Sequence, residues 1–429
     1  MKQTERKRLK RIAFIGNYLP RQCGIATFTT DLCESIASEF TKLTCLALAV
    51  NDVEAGYSYP PRVRFELAQN DIVSYRRTAD FLNINNIDLV SLQHEYGIFG
   101  GVAGNHILAL LRELRMPLVT TLHTVLRQPD ASQRKVMLEL IRLSDRLVVM
   151  SQKAAEFLHD VYQTPQEKIE IIPHGIPDIP FVDSNFYKDQ FGVEGKIVLL
   201  TFGLLSSNKG IENMIKALPA VLERYPNTVY VVVGVTHPHT LKQEGEAYRL
   251  SLELLAEECG VKKAIIFHNR FVSLDELVKF ICTTDIYITP YVNPEQIVSG
   301  TLAYVVGAGK PVISTPYWYA QELLDDNRGV LVPFNDPEAI AAQVLFLLEN
   351  SVKRHAMRKR CYLLGREMIW PVVANRYMKC FESAYEERMR RRHAIFVAKT
   401  LSQRPLDLPL LNLGHLFALT DDTGILQHS

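Results

Sequence analysis

Apolar residues along this chain fall into two kinds of block. Short continuous runs bounded by glycine, proline or polar residues read as buried strands, and stretches with apolar positions three and four apart read as helices. Arg11 to Gly16 (RIAFIG) is a strand ending in glycine, and Thr27 to Phe40 follows at helical spacing. The strand pattern recurs at Leu43 to Val50, Asp88 to Gln93, Pro117 to His123, Arg146 to Ser151 and Ile169 to Pro173, with helices such as Asn105 to Leu114 and Arg134 to Leu143 between. It pauses at Gly175 to Gly195, which holds Pro177 and Pro180 and reads as a linker. It restarts at Ile197 to Phe202, Thr228 to Val233, Ala264 to Phe267, Ile286 to Thr289, Pro311 to Ser314 and Gly329 to Val332, and helical stretches follow from Asp336 to Asn350 and from Val352 to Arg391. Alternating strands and helices predict an α/β chain of two doubly wound, parallel-sheet, Rossmann-like domains facing a cleft. The boundaries read as residues 1–180, 190–375, a helix over 376–403, and a tail over 404–429 broken by Pro405, Pro409 and Gly424.

Ligands of open parallel sheets bind beyond the carboxyl ends of the strands. In the first half those positions are Gly16 to Ala26, His94 to Gly101, His123-Thr124 and His174-Gly175. In the second half they are Gly203 to Gly210, Gly234, Asn269 to Val272, Pro290 to Gly300 and Thr315 to Glu322. Ser299 to Pro316 (SGTLAYVVGAGKPVISTP) is the most informative segment. Gly300 stands where a helix begins, so free N–H groups and the positive end of the dipole offer a place for an anion such as a diphosphate. Gly307 and Gly309 close that helix, and Pro311-Val312-Ile313 opens a strand. Upstream, Phe202 to Gly210 (FGLLSSNKG) is a second glycine turn whose Lys209 brings a cation to the same phosphates.

At 429 residues the chain holds two such domains with cores of their own. A formal net charge of +1 gives no bulk field toward nucleic acid. Lys2, Arg6, Lys7, Arg8, Lys10 and Arg11 form a basic arm that reads as solvated, with peripheral contact to anionic lipid headgroups as the alternative. A second basic run, Arg388 to Arg392, is expected at the end of a helix. The 7 cysteines are scattered without metal spacing, as in reduced cytosolic chains, and no cluster with metal-ligand spacing is visible. No apolar run of spanning length and no signal peptide appears, so a cytoplasmic location is expected.

These segments resemble a retaining nucleotide-sugar glycosyltransferase of the GT-B fold, of the family four (group 1) type, from about Arg11 to about Ala384. Phe202 to Gly210 is similar to the family's phosphate turn G-R-L-x-x-x-K-G, and Ile172-Pro173-His174-Gly175-Ile176 to its pre-linker motif. Val231 to Gly234 is similar to the strand beside the donor, Asn269 to Val272 to the turn against the nucleotide base, and Gly307 to Thr315 to the segment after the donor helix. The resemblance implies transfer of a sugar with retained anomeric configuration, with the acceptor on the first domain and the donor on the second. It departs from the family at Leu204, which replaces the usual arginine, and at Gln296 and Tyr304, which replace the usual glutamate pair, with Glu295 one residue from its place. The sequence is similar here to a subgroup with S-G-T-x-A-Y. The tail, Leu410 to Ser429, resembles through its motif at His415 to His428 the opening of a second catalytic-type domain fused to such enzymes in longer proteins.

The resemblance implies a donor site of Gly16, Gly24, Gly203, Lys209, Gly234, Phe271, Val272, Glu295, Ser299, Gly300, Thr301 and Tyr304, with His123, Lys209 and Gln296 at the chemistry. His94, Glu95 and His174 are the acceptor candidates. Each has a plainer reading: a strand-end histidine bonded to backbone, a loop-capping acid, or ordinary turn chemistry at the glycines. Cys23 has no base at a spacing that suggests a nucleophile. Glu322 reads either as a ligand for a ribose or sugar hydroxyl or as a first-turn helix acid, and the aromatic run before it as an acceptor stack or a core cap. Expected partners are a UDP- or GDP-hexose, glucose or mannose type, and a carbohydrate or lipid-linked acceptor, with no separate cofactor. The rival functions are a catalytically weak sugar-nucleotide binding module and a nucleotide-sugar epimerase.

Overall fold

A computed structural model of the chain describes residues 9–402. The first half runs β1 (Arg11–Gly16), α1 (Gly24–Glu39), β2 (Thr44–Asn51), β3 (Val63–Ala68), α2 (Ile72–Ile84), β4 (Leu89–His94), α3 (Ile107–Leu111), β5 (Leu118–Leu122), α4 (Ala131–Leu143), β6 (Arg146–Val149), α5 (Gln152–Asp160) and β7 (Ile169–Ile171). The second runs β8 (Ile197–Phe202), α6 (Ile211–Arg224), β9 (Thr228–Val233), α7 (Pro238–Glu244), α8 (Ala247–Glu258), β10 (Ile265–His268), α9 (Leu274–Thr283), β11 (Ile286–Thr289), α10 (Gly300–Gly307), β12 (Val312–Ser314), α11 (Trp318–Leu323), β13 (Val330–Leu331) and α12 (Pro337–Glu349). Helices α13 (Ser351–Gly365) and α14 (Trp370–Ser402) complete it.

Each half is one parallel sheet, 7-stranded in the order β3-β2-β1-β4-β5-β6-β7 and 6-stranded in the order β10-β9-β8-β11-β12-β13. The central strands are buried on both faces because helices cover both sides, as in β4 and β9, every residue of which is buried. In both sheets the chain order reverses beside the first strand, between β1 and β4 and between β8 and β11. Such switch points open a crevice at the strand ends, and the turns after Gly16 and Gly203 sit there. Strand β3 was not legible as a strand, because it is an edge with alternating exposure and charged residues, VRFELA.

The linker region is not a free span. Ser184–Phe191 forms a 3-10 turn bolted to the second half. There the buried Lys188 Nζ donates to Asp285 Oδ2 at 2.9 Å and to the Lys196 carbonyl at 2.7 Å. The expected helical stretch from Val352 to Arg391 is broken between Gly365 and Trp370, where the chain crosses back to the first half. At the crossing Ile176 bridges Ile369, Ile176 N donates to the Met368 carbonyl at 2.9 Å and Trp370 N to the Ile176 carbonyl at 2.9 Å. Helix α14 therefore starts at Trp370, earlier than the expected 376, and returns to the first sheet. Tyr377 bonds Thr121 Oγ1 at 3.1 Å, and Phe381 packs on Phe14 with ring centres 6.3 Å apart. Arg388 to Arg392 lie inside α14 and not at its end, since the helix continues to Ser402. The basic arm before Leu9 and the tail from 404 fall outside the described residues.

Candidate active site

Two glycine turns meet on the second half's wall of the cleft. Gly203 (φ +126°) and Gly234 (φ +143°) end β8 and β9 in backbone that side chains rarely adopt, and a Cβ on Gly234 would lie 1.9 Å from the Gly203 carbonyl oxygen. The Gly203 backbone in turn approaches Thr301 and Lys209: a Cβ there would sit 3.2 Å from Thr301 Cγ2 and 3.3 Å from Lys209 Nζ. Lys209 rides on the 3-10 turn Ser207–Lys209. Its ammonium lies over the Tyr291 ring, 4.2 Å from the centre, and contacts the Tyr291 hydroxyl. That hydroxyl bonds Thr301 Oγ1 at 3.1 Å, and Thr301 bonds Ser299 Oγ at 3.1 Å. Ser299 caps α10 by accepting from Leu302 N at 3.3 Å. Gly203, Lys209, Gly234, Ser299, Gly300 and Thr301 therefore form one cradle with a lysine, hydroxyls and helix N–H groups. Burial raises the Tyr291 phenol, but the Lys209 charge and the hydrogen bonds with Lys209, Thr301 and Ser299 together outweigh it and pull the phenol below its usual range.

The first half's wall is built differently. Gly16 is tight, since a Cβ there would meet Thr29 Oγ1 at 2.9 Å, whereas Gly24 at the start of α1 has nothing within 4 Å. Phe28 of α1 sits at the centre of a ring cluster, 4.8 Å from His123, 5.0 Å from His174 and 5.3 Å from Trp370. His123 Nε2 bonds Gln93 Oε1 at 3.0 Å. His174 Nδ1 lies 2.7 Å from the Gly175 carbonyl oxygen, which can only accept, so Nδ1 carries the proton. Its Nε2 is turned toward Gly300, whose Cβ position would be 2.9 Å away. Burial lowers His123 to about 3 and His174 to about 4, so both stand neutral on the cleft wall. Opposite, the Tyr304 hydroxyl of α10 donates to Asp31 Oδ2 of α1 at 3.3 Å, and burial raises the Asp31 carboxyl to about 6.

The remaining candidates fall as follows. Gln296 donates from Nε2 to the Val298 carbonyl at 2.8 Å, holding its own loop, and Glu295 is exposed. Phe271 is exposed and Val272 half-buried after β10. Glu95 caps the turn Tyr96–Ile98 and accepts from Thr124, and burial raises its carboxyl. One reading needs correction. His94 is fully buried with both ring nitrogens unpartnered, its ring stacked on Phe99, so a bound acceptor does not reach it in this conformation. Glu322 is committed to the N-terminus of α5, accepting from Gln152 N at 2.8 Å and Lys153 N at 3.4 Å, because a helix start draws a carboxylate. Of the aromatic run, Tyr317 is buried beneath Tyr291, and the half-buried Trp318 makes a T-shaped contact with Phe157 of α5.

Tyr291, Phe28, Asp31 and Trp370 were not singled out from sequence. The available signals were a tyrosine just past the end of β11 and an acid three residues from Phe28 inside an apolar helix stripe. Among the described residues no group of His, Cys, Asp and Glu is arranged to hold a metal ion, and no helix is long and apolar enough to cross a membrane.

The family model described as Glycosyl transferases group 1 matches residues 183–363, and the model described as Glycosyltransferase Family 4 matches residues 23–178. An uncharacterised glycosyltransferase of Methanocaldococcus jannaschii is 25% identical over 88% of this chain and 99% of its own length. A phosphatidyl-myo-inositol mannosyltransferase of Mycolicibacterium smegmatis is 24% identical over 49% of this chain and 51% of its own. The crystal structure of Anabaena HepE in complex with UDP superposes with a TM-score of 0.67 at 16% identity, over 87% of this chain and 100% of that one. The second matched segment takes in the first sheet except β1 and the other the whole second sheet, and the chain belongs to the group 1, family four glycosyltransferases, enzymes of the GT-B fold.

Proposed function

We propose that this enzyme moves a hexose of glucose or mannose type, with retention, from a nucleoside-diphosphate sugar to a carbohydrate or lipid-linked acceptor. The observation that carries the donor assignment is the convergence of Lys209, the Gly203 turn and the start of α10 on one spot. As the sugar–phosphate bond breaks, negative charge grows on the diphosphate. Lys209 and the N–H groups beginning α10 are already aimed there, and such pre-set donors commonly supply the largest catalytic contribution. The base and ribose lie toward Gly234, Phe271 and Val272, with Glu295 and Gln296 at the sugar. On the facing wall burial keeps His123 and His174 neutral, and His123 is set to contact the sugar through hydrogen bonds. The acceptor enters beside Gly24 and Glu95. The leaving diphosphate takes the acceptor proton, so no separate base is needed. The relative named for phosphatidyl-myo-inositol favours a mannosyl donor and a lipid-linked acceptor, and the UDP-bound neighbour favours a uridine nucleotide.

Purified protein titrated with UDP-glucose, GDP-mannose, UDP and GDP tests this. Binding of one donor, followed by release of its nucleoside diphosphate, is expected. Binding without release, whatever saccharide acceptor is added, would make the protein a binding module. No binding by any of the four would remove the donor assignment.

A further inference from the structure

The hydroxyls beneath Lys209 form a line of hydrogen-bond contacts. An ammonium only donates, so Lys209 Nζ donates a hydrogen bond to Tyr291 Oη. Tyr291 Oη shares a second hydrogen bond with Thr301 Oγ1 at 3.1 Å. Thr301 in turn faces Ser299 Oγ at 3.1 Å. Ser299 Oγ also accepts from Leu302 N at 3.3 Å, so the line ends on the N-cap of α10. The line is well supported: Tyr291 is 2% exposed, lies stacked on the fully buried Tyr317 with ring centres 5.0 Å apart, and its carbonyl accepts from Thr315 Oγ1 at 2.6 Å.

We propose that Tyr291 is a positioning residue for sugar transfer, which seats the Lys209 ammonium and ties it, through Thr301, to the Ser299 cap of α10, so that lysine and helix start are held as one unit toward the diphosphate. This deepens the donor-site reading above and rests on it. The phosphate is then met by an ammonium and by helix N–H groups whose positions are set by one relay of hydroxyls. Hydrogen bonds to a charged group are the stronger kind.

The test is a double-mutant cycle on nucleoside-diphosphate affinity, measured by calorimetry with UDP and GDP. Tyr291→Phe keeps the ring stack and the cation–π contact but removes the hydroxyl. Thr301→Val keeps the shape of the next link. Each is expected to weaken binding about tenfold, and the double variant no more than either alone, because both cut one relay. Thr301→Ser, which retains the hydroxyl, is expected to bind several-fold more tightly than Thr301→Val. Unchanged affinity in Tyr291→Phe, or losses that add in the double variant, would overturn the relay while leaving the donor site standing. If Tyr291→Phe does not fold, the Thr301→Val and Thr301→Ser pair decides: equal affinities refute the relay. Failure of the unaltered protein to bind either nucleotide would overturn the donor reading and the relay together.

Discussion

The two walls of the cleft share a topology and differ in chemistry. On the second half the strand ends carry a lysine, a run of hydroxyls and the N-terminal end of α10, where Ser299 caps the Leu302 N–H. On the first half the corresponding turns carry imidazoles held neutral by burial, aromatic rings and glycines. A sheet switch point supplies only a crevice. What enters it is set by whether the loops leave a charge there. Neutral histidines cost little to bury, so they can be packed around Phe28 as rigid wall, whereas Lys209 is kept half-exposed and held by a phenol. The contrast separates a wall that attracts a phosphate from one that shapes what lies against it.

Substitutions on the charged wall are expected to act on activity. Lys209→Ala should lower the transfer rate about 10²–10³-fold, with melting temperature little changed. An activity within a few-fold of the original would erase the distinction between the walls. Next in size is Gly234→Ala, whose new Cβ meets the Gly203 carbonyl oxygen in positive-φ backbone. Loss of about 2–4 kcal/mol is expected in denaturant unfolding. On the neutral wall the informative change is Asp31→Asn. The folded carboxyl titrates at about 6, above its ordinary 3.8, so the protonated folded form is favoured below about pH 4 and that advantage is lost as pH rises through about 6. The variant should match the original protein at pH 4 and exceed it by about 1–2 kcal/mol at pH 7. A pH-independent difference would show that Asp31 is not desolvated there. The smallest effect is expected at Gly24→Ala, which meets nothing within 4 Å and should change stability by less than about 1 kcal/mol.

Much of this was legible in the sequence, for definite reasons. Strands such as Ile197–Phe202 and Thr228–Val233 are buried on both faces, so their apolar runs are continuous and their ends fall where expected. The cradle was legible because only glycine suits Gly203 and Gly234, and because a glycine-flanked helix start has one obvious electrostatic use. Edge strand β3 was not, since half of it faces solvent. Nor were the contacts that depend on two distant segments meeting. Glu322 looks like any first-turn acid until α5 of the other half is placed against it. Asp31 and Tyr304, 273 positions apart, show no relation until α1 and α10 face one another. His94 follows a buried strand as an active-site histidine would, but the strand's burial simply continues through its ring.

One feature of the crossing reaches beyond the reaction. Ile176 and Ile369 lie side by side, tied by Ile176 N to Met368 and Trp370 N to Ile176, and α14 then completes the first sheet's cover. In chain topology the second half is thus a cassette threaded into a loop of the first. Its entry and exit already touch, so the two cut ends left by excising residues 177–368 would stand within splicing distance. The same adjacency makes the second half exchangeable: a foreign sheet with neighbouring termini could be grafted at this point without lengthening the chain.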